Sequence, residues 1–191
     1  MNMKLLLCIA STFACLVGGQ AMAANFVYMN GFQVQVYEGV PIELTVMGSF
    51  DRPPSAGGFN LVFDPAVLQL SSIVIDPSWN VGSSAGTIDN VAGSLTGVWF
   101  GTSTVLQTFV PFPIATLTFQ TIATGSSPTS PLPNAANPFV DFSGQALAVT
   151  YLPSSAQVLP SPVPEPTALA LLLTGLPFLV ASTLKRRRAD A

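Results

Sequence analysis

From residue 32 onward the chain alternates apolar and polar side chains one by one. Phe32, Val34 and Val36 alternate with Gln33, Gln35 and Tyr37, and beyond Gly39 the apolar Ile42, Leu44 and Val46 alternate with Glu43 and Thr45. A period of two sets one face against a core and the other toward water, which describes a strand. Glu38 and Glu43 flank the turn at Gly39, so this pair of strands is expected as a hairpin with both carboxylates solvated. Further strands are expected at 57–63, 68–75, 94–100, 114–122, 139–142 and 145–151. Asp64-Pro65 and Asp76-Pro77 stop two of them, and the segments 51–55, 82–86 and 126–138 carry the Gly, Ser, Pro and Asn of loops. No segment before the C-terminal end sustains a helical period. About eight short strands separated by such turns point to an all-β sandwich.

The two ends are different material. Hydrophobic residues make up 49 % of the chain and charged ones only 8 %, against roughly 25 % charged in a typical soluble domain. Lys4, an apolar run over 5–17 and the small residues Ala21 and Ala23 are the parts of a secretory signal, so residues 1–23 are expected to be removed after Ala23. Residues 158–166 are dense in proline and read as an extended linker. The uncharged stretch 167–184 would span just under ~30 Å as a helix, enough for a short transmembrane segment. Lys185, Arg186, Arg187 and Arg188 in the tail 185–191 would then fix the cytoplasmic side. The expected domain is therefore 24–157, exported, with a membrane helix behind it.

Charge and side-chain inventory narrow the function. Between the two ends, Arg52 stands against Glu38, Glu43, Asp51, Asp64, Asp76, Asp89 and Asp141, a net charge of −6. Such a domain cannot neutralise a run of phosphates, which excludes nucleic acid as a partner. The chain has no histidine, and both cysteines, Cys8 and Cys15, lie in the signal segment. Carboxylates are thus the only groups left for acid–base chemistry. Asp64 and Asp76 precede prolines and read as turn residues. Asp89-Asn90 is too thin for a calcium site. No catalytic residue, metal or cofactor is expected, although a polysaccharide hydrolase remains a minor alternative. Among aromatics, Trp79 lies in the polar stretch Asp76-Pro77-Ser78-Trp79-Asn80 and is the candidate for an exposed ring that stacks on a ligand. Trp99 sits in an apolar strand and is expected in the core.

Two resemblances add to this reading. Val163-Pro164-Glu165-Pro166, the apolar span and the terminal basic cluster, in that order, resemble the PEP-CTERM sorting signal. That resemblance implies handling by an exosortase-type enzyme, processing near the motif, and delivery to the cell surface or an exopolysaccharide-containing extracellular matrix. The middle region resembles cohesin-type domains, which share a nine-stranded jelly roll with some carbohydrate-binding modules. Its best stretch runs from Gly57-Gly58-Phe59 through Asp64-Pro65 to Leu68-Gln69-Leu70, with Ile114–Phe119 and Phe142–Leu147 as later matches. The resemblance implies a jelly-roll β-sandwich of about eight or nine strands that binds a polysaccharide or a surface protein without turnover. The alternative is a structural matrix component with no discrete ligand.

Overall fold

The computed structural model describes residues 25–31 and 33–162. The signal segment 1–23, the motif Val163–Pro166, the expected membrane span 167–184 and the tail 185–191 lie outside the described residues, as does Phe32. Among the described residues there is no helix, and the all-β expectation holds.

The chain runs through β1 (Asn25–Met29), β2 (Gln33–Tyr37), β3 (Ile42–Ser49), β4 (Pro54–Val62), β5 (Leu68–Ile75), β6 (Gly82–Ser84) and β7 (Thr87–Asp89). It continues through β8 (Ser94–Gly101), β9 (Phe112–Thr121), β10 (Gly125–Pro128), β11 (Ser130–Pro133), β12 (Val140–Asp141), β13 (Val149–Tyr151) and β14 (Ser155–Leu159). One sheet is ordered β13-β1-β3-β9-β5 and a second β11-β4-β8-β6, with β12 beside β4 and β7 beside β8. A small third sheet, β10-β14-β2, adjoins them. Pairing is antiparallel except at β1–β13 and β14–β2.

One apolar core joins the sheets. Leu44, Val46, Leu117 and Phe119 supply one side, and Phe59, Leu61, Val98 and Phe100 the other. Phe63 meets Phe119 edge-on at 5.5 Å, and Phe50 lies 4.9 Å from Phe139. Aromatic pairs in this range add about 0.5–1.5 kcal/mol each beyond the burial of their area. Phe139 seats directly over Gly57, where an added Cβ would lie 2.4 Å from the ring. A Cβ added at the adjoining Gly58 would lie 2.3 Å from the Val98 carbonyl oxygen. The glycine pair in β4 is therefore a steric requirement of the packing.

Three sequence expectations change. The hairpin at Gly39 does not form: β2 pairs in parallel with β14, whereas β3 pairs with β9 along its length and with β1 at its far end. Gly39 (φ +82°) reverses the chain, and the Tyr37 carbonyl accepts from Val40 N–H and the Thr121 hydroxyl, so the two strands leave the turn toward different sheets. The 126–138 loop contains β10 and β11, whose prolines sit on edge strands where a missing N–H costs no ladder bond. Finally, β14 extends the sandwich through Val158 and Leu159, read above as the start of the linker.

Candidate functional site

The two tryptophans occupy the reverse of their expected places. Trp79 is 4 % exposed and belongs to the core. The Asp76 carboxylate accepts from Ser78 N–H (2.9 Å), and Trp79 N–H bonds the Asp76 carbonyl (3.0 Å), forming a tight turn that folds the indole back into the end of the sandwich. Its ring lies 4.4 Å from Phe100 and 6.0 Å from Phe112. A ring so enclosed presents no face on which a ligand could stack.

Trp99 is 41 % exposed. The cause is a bulge. Leu95 and Val98 both face the core although they are three residues apart, because the β4–β8 register shifts between Phe59 and Leu61. Gly97 takes φ +74° there, and its N–H donates to the Asn60 side chain at 2.9 Å. An extra residue reverses the parity of everything after it. Val98 and Phe100 turn inward and Trp99 outward. A glycine inside an otherwise apolar strand is the sequence signal that marks such a bulge.

Trp99 forms one wall of a groove of about 400 Å³ on the outer face of the β11-β4-β8-β6 sheet. Val81 stands beside it, Ala136, Pro138 and Val140 form the opposite wall, and the backbone of Gly57 and Gly101 lies between. The indole packs over Gly82, where a Cβ would come within 3.3 Å of its outer edge. The facing loop is pinned to the sheet. Asn134 donates from its side chain to the Val98 carbonyl (3.0 Å) and accepts from Ala136 N–H (3.1 Å), while the Ser55 hydroxyl donates to the Asp141 carbonyl (2.8 Å). None of the lining residues titrates. This surface can bury apolar groups, offer ring stacking and exchange neutral hydrogen bonds, but it can move no proton.

The groove lies toward the pole opposite the C-terminal exit. Leu159 pairs with Tyr37, whose carbonyl meets Thr121 at the end of β9. The start of β9, at Phe112, and the end of β8, at Phe100, instead pack around Trp79 at the other pole. The 102–111 connection leaves the groove at Gly101 and carries three further exposed apolar side chains, Val105, Phe109 and Val110, with Phe109 73 % exposed.

Asp64, Asp76, Asp89 and Asp141 are spent on structure. Asp64 accepts from Ala66 N–H and Asp89 from Val91 and Ala92 N–H, each closing a turn. Asn90 bonds the backbone of Leu70 through both ends of its amide. Asp141 accepts from the Ser143 hydroxyl (2.6 Å) and from the Gln145 and Ser143 amides, and forms an ion pair with Arg52 (2.7 Å). The Ser143 hydroxyl chiefly, then the Gln145 amide, hold its carboxyl below the usual range against the opposing effect of burial, with Ser143 N–H and Arg52 adding to them. Burial alone pushes the Tyr151 phenol up to about 12. Among the described residues no three metal-ligating side chains gather.

No protein-family model matches the sequence, and no curated protein matches it. The fold, by contrast, is shared with solved cohesins. The cohesin of a type I cohesin–dockerin complex from Clostridium thermocellum superposes with a TM-score of 0.57 at 10 % identity, covering 71 % of this chain and 99 % of that one. A non-cellulosomal cohesin from the archaeon Archaeoglobus fulgidus gives 0.56 at 11 % identity, covering 72 % and 92 %. A cohesin from Clostridium acetobutylicum gives 0.55 at 14 % identity, covering 74 % and 95 %. The architecture is cohesin-like.

Proposed function

We propose that this chain is an exported, exosortase-sorted surface or extracellular-matrix protein whose sandwich binds a protein partner at the Trp99 groove without turning it over. The observation that carries this reading is the groove itself, a rigid, uncharged, largely apolar concavity with a half-exposed indole on an acidic domain. Apolar burial yields about 25 cal/mol per Å², and aromatic anchors in pockets dominate such interfaces. The fold agrees, since cohesin neighbours were solved in complexes with dockerins. The same exposed indole supports a second reading, in which a neutral polysaccharide stacks on Trp99. An acidic polymer would meet repulsion from a domain of net charge −6.

Sorting completes the proposal. Signal cleavage after Ala23 exports the domain, the 167–184 helix holds it in the membrane, and the Val163–Pro166 motif directs processing. A groove on the pole away from Leu159 suits a domain tethered through its C-terminal linker. Two experiments test the account. Trp99→Ala should abolish retention of the chain on its surface partner while the β circular-dichroism spectrum stays intact, and unchanged retention refutes the groove. Glu165→Ala should leave the chain membrane-inserted but unprocessed, whereas release at the wild-type rate refutes the sorting role.

A further inference from the structure

The exposed edges of the three sheets are not treated alike. An unpaired strand edge templates association unless it is blunted. β10 carries Pro128, and β11 carries Pro131 and Pro133. β6, β7 and β13 are three residues each. β5 is long, but it is bulged near Ser71, and the Asn90 amide occupies both the N–H (2.9 Å) and the carbonyl (3.1 Å) of Leu70.

β2 has no such device. Its sequence, Gln33-Val34-Gln35-Val36-Tyr37, contains no charge, proline or glycine. Among the described residues β14 is the only strand that runs beside it, and β3 diverges after the Gly39 turn. Glu38 N–H donates to the Leu159 carbonyl on β14. Backbone groups alternate sides along a strand, so Val34 and Val36 bond toward β14 while Gln33 and Gln35 direct N–H and C=O away from it. Among the described residues nothing meets those outward groups.

We infer that β2 is a self-association edge, pairing antiparallel with β2 of a second copy of this chain about a two-fold axis through Gln35. In that register the two Gln35 residues exchange N–H···O=C bonds and each Tyr37 N–H reaches the Gln33 carbonyl of the second copy, while the Tyr37 carbonyl stays with Val40 N–H and the Thr121 hydroxyl. The result is one continuous sheet, β10-β14-β2-β2-β14-β10, with isologous symmetry. Neutrality favours a second copy despite the acidic domain. The two Glu38 residues stand six residues apart along the paired strands, about 20 Å at ~3.3 Å per residue, which exceeds the ~8 Å screening length at physiological ionic strength. The groove at Trp99 lies on another sheet and stays open in such a dimer.

Sedimentation of the full chain in detergent micelles tests this directly. The wild type should show a concentration-dependent dimer, and Gln35→Lys, which sets two ammonium groups opposite each other, should weaken it at least about tenfold, a penalty of 1.4 kcal/mol. With Cys8 and Cys15 replaced by serine, Gln35→Cys should oxidise to a covalent dimer. The paired Cα atoms would lie ~5.5 Å apart, inside the disulfide range. Gln157→Cys, a strand further in on β14, should not cross-link. A chain that is monomeric throughout, a folded Gln35→Lys variant that associates like wild type, or equal cross-linking at 35 and 157 overturns the inference. If Gln35→Lys fails to fold, the cysteine pair decides.

Discussion

Replacing Trp79 by alanine removes an indole that is 4 % exposed and that bridges Phe100 at 4.4 Å and Phe112 at 6.0 Å. The sheets on either side are tied by backbone ladders and cannot collapse into the space, so the loss combines transfer and cavity costs, about 3–5 kcal/mol for a buried Trp→Ala change. At roughly 3 °C per kcal/mol for a domain of this size, the midpoint of thermal unfolding falls by about 10–15 °C. Trp79→Phe separates packing from polarity. It keeps most of the ring, and it deletes an indole N–H that meets no acceptor among the described residues, so its loss should stay near ~1 kcal/mol. Trp99→Ala, on the exposed face, should cost less than ~1 kcal/mol. Circular-dichroism melts of the three variants, with acrylamide quenching to separate shielded from open indole, give the ordering. A Trp79→Ala melt within a degree or two of wild type refutes the burial of Trp79 through the Asp76 turn, and a larger loss at Trp99 refutes the parity argument built on Gly97.

Gly57→Ala should destabilise by about 1–3 kcal/mol through overpacking against Phe139, read by chemical denaturation, and an unchanged midpoint would contradict the close contact of 2.4 Å. Tyr151 favours its neutral form when folded, with its pKa pushed up to about 12 from 10.0, so the stability it contributes is full below pH 10 and lost as pH rises toward 12. Tyr151→Phe should therefore remove part of the alkaline loss in a pH series of melts. Asp141 is shifted the other way, so its contribution is present above pH 3.8 and disappears as pH falls through the lowered folded value. Asp141→Asn should flatten the acid limb of the same series.

Alternation and turn chemistry made the long strands legible: β4, β5, β8 and β9 stand within a few residues of their expected spans. They also made the roles of Asp64 and Asp76 legible, since a carboxylate before proline closes a turn with whatever follows. What alternation cannot carry is a change of parity. Strict period two through Leu95 assigns Trp99 to the core, and only the extra residue at Gly97 turns it out. Local pattern also cannot choose partners. β2 and β3 read as a hairpin because they are adjacent in sequence, yet β2 closes onto β14, more than a hundred residues later. Proline-rich β10 and β11 were illegible for a related reason, because proline excludes a strand from the centre of a sheet and says nothing against its edge. The groove joins residues from β4, β8, the start of β6 and the 134–138 loop, a juxtaposition that exists only after long-range pairing.

The central claim is that Trp99 lies in a surface occupied by a partner where the protein works. Oxidative footprinting of tryptophan tests it without knowing that partner, by labelling the purified full chain and the same chain in the intact envelope of the producing cell. The account predicts that Trp99 is modified in the purified chain and protected in the envelope, while Trp79 is shielded in both. Equal modification of Trp99 in the two settings contradicts it.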